Sequence, residues 1–140
     1  RIYGKKGFYQ YQCVIPKKPD GINYLRKLLQ SISDAKTGSF LAILKLFGPR
    51  DEPYLAFASE GYTLALDFPN RTGTEALFKK LDEIVLQSGG RLYLTKDARM
   101  SRTMFEEGYP QLGLFKAEKK RIDPENRYTS IQAERLGLVH

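Results

Sequence analysis

YTLALDF, residues 62–68, alternates strictly, so that Tyr62, Leu64, Leu66 and Phe68 share one face while Thr63, Ala65 and Asp67 take the other. A period of two over seven residues describes a strand with one face packed on a core and the other left open. Just upstream, SFLAILKLFG, residues 39–48, is bounded by Gly and too short for a helix, and reads as a second strand interrupted by Lys45. The loop GPRDEP, residues 48–53, and the segment YLAFASEG separate the two. Near the start, FYQYQCVI, residues 8–15, is rich in aromatic and β-branched residues and stops at Pro16, a strand with Gln10 and Gln12 on one side. RLYLT, residues 91–95, completes the set as a short fourth strand.

Two amphipathic helices fall between these strands. Asp20 is placed to cap the first, whose stripe is Ile22, Leu25, Leu29 and Ile32 and which stops near Thr37-Gly38. Thr72 followed by Glu75 has the spacing of a capping box and opens the second, with Leu77, Leu81, Ile84 and Val85 inward and a close at Gly89-Gly90. The order β-α-β-β-α-β predicts an α+β fold, an antiparallel sheet with two helices on one face, ferredoxin-like in arrangement. Residues 1–98 would form this core. Residues 99–140, with short helices expected around 101–107, 111–119 and 130–136, would form a helical C-terminal tail.

The 140 residues suit one domain with a real core, and no apolar run approaches the roughly 18 residues of a membrane span. A soluble protein, cytoplasmic by default, is expected. The single cysteine, Cys13, cannot close an internal disulfide. Residue 1 is Arg, and no leader-like segment precedes the first strand, so the chain is expected to begin inside a longer protein. With 23 Lys and Arg against 16 Asp and Glu, the net charge is +7, but the basic pairs Lys5-Lys6, Lys17-Lys18 and Lys79-Lys80 and the triplet Lys119-Lys120-Arg121 are scattered. That distribution favours a solvated surface over a nucleic-acid patch. The one histidine is His140, which excludes a His-based triad or a His/Cys metal cluster within this chain. Asp123, Glu125 and Glu106-Glu107 lack the spacing of a calcium loop, and no GxGxxG or P-loop is present to cradle a nucleotide phosphate.

The residues that project from the face opposite the helices are Gln10 and Gln12, Lys45, and Thr63 with Ala65, joined by Tyr93. Amides, an amine, a hydroxyl, a phenol and one small residue are what a floor for a polyhydroxylated ligand needs in donors, acceptors and room. The plainer alternative is a solvated sheet face, preferred for Gln10, Gln12 and Thr63 taken alone. Lys45 shifts the balance, because an ammonium set among apolar neighbours either snorkels to water or sits at a cavity. Lys96 directly follows a strand in LYLTKDAR; from spacing alone it reads as a surface lysine, paired with Asp97 or repelled by Arg99.

The segments FYQYQCVIP, AILKLFG, YTLALDFP, GGRLYLTKDAR and RIDPENRYTS, in this order and at these distances, resemble the C-terminal region of the vanillyl-alcohol-oxidase-type flavoproteins. Within that superfamily the likeness is strongest to the decaprenylphosphoryl-ribose 2-oxidase group and to the sugar-lactone and alditol oxidases. GGRLYLTKD and the DPxxxYxS pattern from Asp123 to Ser130 are its most specific pieces. The resemblance implies an oxidoreductase acting on CH-OH groups of a sugar-type substrate. An N-terminal domain of the same protein would bind FAD, while this chain supplies the substrate-binding part and is inactive alone. It also implies that Lys96 and Tyr93 lie beside the flavin and the reacting hydroxyl. Lys45 and Gln12 would be substrate-side positions, and Thr63 and Ala65 stand where mycobacterial members of the group carry Asn and Cys.

Two rivals remain at this stage. An RNA-binding module of the same topology would use the strand aromatics Phe8, Tyr9 and Tyr11, although YTLALDF lacks the basic, glycine and paired-aromatic pattern of such a sheet. A non-catalytic ligand-binding domain is the other. Separated from its partner domain, the chain is also expected to expose an apolar interface and to self-associate.

Overall fold

The computed structural model describes residues 6–37, 39, 41–51 and 53–139. Lys5, Gly38, Phe40 and His140, which enter the sequence reading, lie outside the described residues. Strand β1 (Phe8–Pro16) leads to helix α1 (Gly21–Asp34), then β2 (Ala42–Phe47), β3 (Gly61–Pro69), α2 (Thr74–Gln87) and β4 (Arg91–Leu92). A 3-10 turn (Leu94–Lys96) and helices α3 (Arg102–Gly108), α4 (Leu112–Ile122) and α5 (Ile131–Arg135) complete the chain. The four strands form one antiparallel sheet in the order β2-β3-β1-β4, the β-α-β-β-α-β arrangement with a helical tail.

Register follows the alternation. Tyr11 pairs with Leu66 and Cys13 with both Leu64 and Leu92, so one face carries an unbroken apolar band. Leu25 and Leu28 of α1 and Leu77, Phe78, Leu81, Ile84 and Val85 of α2 close over this band. Met100, Met104, Phe105, Tyr109, Leu112 and Leu136, all from residues 99–140, belong to the same buried cluster, so the tail shares the core of the sheet. Within it, Phe78 meets Phe68 edge-on, with centroids 5.2 Å apart, and stacks on Tyr11 at 5.3 Å.

Three local expectations are corrected. The second helix is not opened by Thr72: its N-cap is Gly73, at φ 92°, and no side chain caps it. A glycine in the left-handed region turns the chain sharply, and Thr74 instead donates its hydroxyl to Pro69 O at 2.9 Å. The first helix likewise has no side-chain cap from Asp20, and it packs by Gly21, Leu25, Leu28 and Ser31, leaving Ile22 and Leu29 exposed. Its stripe is rotated because Gly21 lies against Pro16, where an added Cβ would sit 2.4 Å from the carbonyl oxygen. Finally, the strand expected over 91–95 ends at Leu92; Tyr93 still donates its N–H to Gln12 O at 2.9 Å, but the backbone then coils into the 3-10 turn.

β2 is one of the two edge strands. Its residues Leu44 and Leu46, opposite Leu64 and Tyr62, face the helix side but remain exposed, since α1 packs over β1 and β3 and does not reach them. No helix among the described residues is long and apolar enough to cross a membrane.

Candidate functional site

On the face without helices, the register sets Lys45 opposite Thr63 and Thr63 opposite Val14 in one row, and Ile43 opposite Ala65 and Ala65 opposite Gln12 in the next. The rows come from three adjacent strands, so their side chains stand side by side. Lys96 reaches the same place from the 3-10 turn. Together Gln12, Ile43, Lys45, Thr63, Ala65 and Lys96 line a hollow of about 240 Å³. Gln12 donates from Nε2 to Thr63 Oγ1 at 3.3 Å, which fixes the amide and leaves its carbonyl oxygen directed elsewhere.

A second hollow, about 370 Å³, adjoins the first through the shared Gln12 and is lined by Phe47, Ala56, Phe57, Ala58 and Tyr93. Tyr93 stacks on Phe57 with ring centroids 4.5 Å apart, and Phe47 meets Phe57 edge-on at 6.3 Å. The loop after β2 therefore folds back over this face, held in part by Arg91, which donates to Ala56 O at 2.8 Å. Of the residues singled out from sequence, Gln12, Lys45, Thr63, Ala65 and Lys96 are brought into one hollow. Tyr93 lines its apolar neighbour, and Gln10 lies apart, with its amide on Asp67 Oδ1 at 3.3 Å. Phe47 shares the parity of Lys45 in AILKLF and was findable from that alternation. Phe57 sits in an irregular loop and carries no periodic signal.

The surface pairing of Lys96 with Asp97 is also corrected. Asp97 accepts from the backbone N–H groups of Arg99 (2.8 Å) and Met100 (2.6 Å) and pairs with Arg135 at 2.6 Å. Burial pushes its carboxyl up, but these partners outweigh burial and hold it below the ordinary value. Arg99 reaches away to Asp82 of α2 through two bonds of 2.7 and 2.9 Å, with its guanidinium 4.5 Å over the Phe78 ring. Asp82 also accepts from the Tyr11 hydroxyl at 3.1 Å. With Asp97 and the nearby arginines committed elsewhere, the ammonium groups of Lys96 and Lys45 have no hydrogen-bond or ion-pair partner among the described residues. Two ammonium groups without a counter-charge at one concave place suit an anionic or electron-rich, hydroxylated ligand.

Two of the first-strand aromatics turn away from this face. Tyr11 is buried on the helix side, and Tyr9 packs edge-on against Phe78 with centroids 5.7 Å apart. Cys13 is buried on that side too, where burial pushes its thiol up to about 12, an inert group on the opposite face of the sheet from the hollow.

The chain is thus an α+β domain with a cationic, amide- and hydroxyl-lined hollow on the bare side of its sheet. Residues 14–136 match the D-arabinono-1,4-lactone oxidase family, and the chain belongs to it. It is 34% identical, over 99% of its length, to the decaprenylphosphoryl-β-D-ribose oxidase of Mycolicibacterium smegmatis, of which it covers 30%. It is also 34% identical, over 95% of its length, to an uncharacterised protein encoded in the mprA 5′ region of Streptomyces coelicolor, of which it covers 36%. The chain thus spans about a third of the length of these relatives.

Proposed function

We propose that this chain is the substrate-binding part of an FAD-dependent oxidoreductase that oxidises a hydroxyl of a sugar or related polyol. The flavin would be held mainly by another part of the same polypeptide. The observation that carries the reading is the gathering of Lys45, Lys96, Gln12 and Thr63 at one hollow, with neither lysine neutralised. Family membership and the greater length of the relatives support it.

The donor set fits a flavin. FAD, when bound, supplies the acceptor for the hydride that leaves the carbinol carbon, and reduction makes its ring system anionic. From this chain, Lys96 and Tyr93 would hold that ring system: an unpaired ammonium stabilises negative charge, and a phenol already packed on Phe57 offers an ordered aromatic edge and a hydroxyl. Lys45 and the fixed amide of Gln12 bind and orient the substrate's oxygens, with Thr63 completing the polar floor and Ala65 leaving room. The two apolar residues on the hollow's lining, Ile43 and Ala65, limit water beside the reacting carbon. Among the described residues no carboxylate or imidazole lines the hollow, and the acceptor of the hydroxyl proton would come from the flavin-binding part.

The test is rapid mixing of the complete, flavin-loaded protein with candidate sugars, alditols and sugar lactones under anaerobic conditions. Lys96→Ala is expected to fold normally and to slow flavin reduction at least tenfold, on the order of 1.4 kcal/mol or more. An unaltered rate of reduction contradicts the assignment.

A further inference from the structure

The DPxxxYxS segment, from Asp123 to Ser130, lies away from the hollow, yet it has a consistent structural task. Asp123 is buried at the end of α4 and accepts from the N–H groups of Arg127 (2.8 Å) and Tyr128 (3.1 Å), with Lys119 Nζ 3.5 Å away. This knots the turn that follows. Ser130 then caps α5 by accepting from Ala133 N at 3.1 Å, and Leu136 is wholly buried just beyond the helix.

So delivered, α5 grips the turn that bears Lys96 at three points. Gln132 Nε2 donates to Leu94 O at 2.8 Å and, more weakly, to Asp97 Oδ2 at 3.4 Å. Arg135 donates to Asp97 Oδ2 at 2.6 Å and, through its other terminal nitrogen, to Met100 O. Lys96 therefore stands between residues 94, 97 and 100, each of which is tied to the same short helix. Asp97 is the centre of the grip, its side chain only 2% exposed and its two oxygens shared among Arg99 N, Met100 N, Gln132 and Arg135. A backbone that has just left a sheet and makes one 3-10 turn has little stiffness of its own; the long-range ties supply it.

We infer that Arg135, Gln132 and Asp97 are positioning residues that act through Lys96, the C-terminal helix serving as a clasp that sets the height of its ammonium over the hollow. The inference rests on the reading of Lys96 given above. The clasp moves no proton and touches no substrate. Its effect is to reduce the number of places the ammonium can occupy, so that charge stabilisation at the hollow needs no reorganisation.

In the complete, flavin-loaded protein, Arg135→Gln is expected to raise the rate at which acetic anhydride modifies Lys96, relative to Lys45 in the same molecule, at least threefold by mass spectrometry. It is expected to slow flavin reduction by substrate at least fivefold. Arg135→Lys, which keeps a cation on Asp97, should return both quantities to within twofold of the parent. Combined with Lys96→Ala, Arg135→Gln should cost less than a further twofold, because residues that act through one group are not additive. Where Arg135→Gln does not fold, Gln132→Ala removes only the ties to Leu94 O and Asp97 and should shift both readings in the same direction by about half as much on a logarithmic scale. An unchanged acetylation ratio, or an equal loss in the Lys96→Ala background, overturns the clasp. Flavin reduction that is indifferent to Lys96→Ala overturns the reading of the hollow instead, and the acetylation ratio reports on the clasp separately.

Discussion

The two faces of this sheet are made by alternate residues of the same strands, and they solve opposite problems. On the helix side, Tyr11, Cys13, Leu64, Leu66 and Phe68 meet two helices and part of the tail, and even the ionisable groups are silenced: the Cys13 thiol by burial, the Tyr11 hydroxyl by burial and its bond to Asp82. On the bare side, Gln12, Lys45, Thr63 and Ala65 sit one residue out of phase and share a hollow with Lys96 in which two lysine side chains have no partner among the described residues. A single change of parity separates residues of the apolar core from residues of the proposed binding floor. On the reading proposed above, binding is placed on residues outside the main apolar cluster, which frees Gln12, Lys45 and Ala65 to be chosen for chemistry.

Substitutions should divide along that line. Phe78→Ala, at the aromatic centre of the covered face, is expected to destabilise the protein by about 3–5 kcal/mol in denaturant titration, leaving binding at the hollow affected only through loss of fold. Thiol chemistry gives the next contrast. In the folded protein Cys13 should resist a disulfide reagent at pH 8, whereas Ala65→Cys places a thiol on the bare face that should react faster by at least on the order of a hundredfold. Equal reactivity would mean that the faces are not separated as described.

Acid sharpens the boundary at the clasp. Asp97 has a folded-state value below its ordinary 3.8, so its contribution to stability is present above the unfolded value and is lost as pH falls through the folded one. Asp97→Asn should therefore lower stability at neutral pH and flatten its decline below about pH 4, measured by denaturation at a series of pH values. A mutant whose decline parallels the parent's would show that this carboxylate is not held by Arg135. The smallest effect belongs to Lys45→Ala, expected to change stability by no more than about 0.5 kcal/mol while raising the substrate dissociation constant several-fold in titrations of the complete protein.

How much of this was legible depended on the range of the interaction. Alternation in YTLALDF and FYQYQCVI set the faces correctly, because period-two patterning is a local signal that the sheet preserves. Capping was less legible: Thr72 and Glu75 had the spacing, but Gly73 at positive φ governs the start of α2. Of the α1 stripe, Leu25 and Ile32 meet the core while Ile22 and Leu29 stay exposed, since contact with Pro16 and the sheet decides the helix's rotation. For Lys96, local spacing favoured the wrong partner for Asp97, as the arginine that holds it lies 38 residues along the chain. Phe57, which makes the apolar hollow with Tyr93, was silent for the same reason: it acts through a loop fold-back that no short window encodes.

The most direct measurement is a crystal structure of the complete, flavin-loaded protein with a non-oxidisable polyol or sugar analogue. The account predicts density for the analogue over the bare face of the sheet, with polar atoms within hydrogen-bond distance of Lys45 and Gln12 and the Lys96 ammonium turned toward both analogue and flavin. Density seated instead in the groove beside α2, among Lys79, Glu83 and Thr103, with the hollow empty, would contradict it.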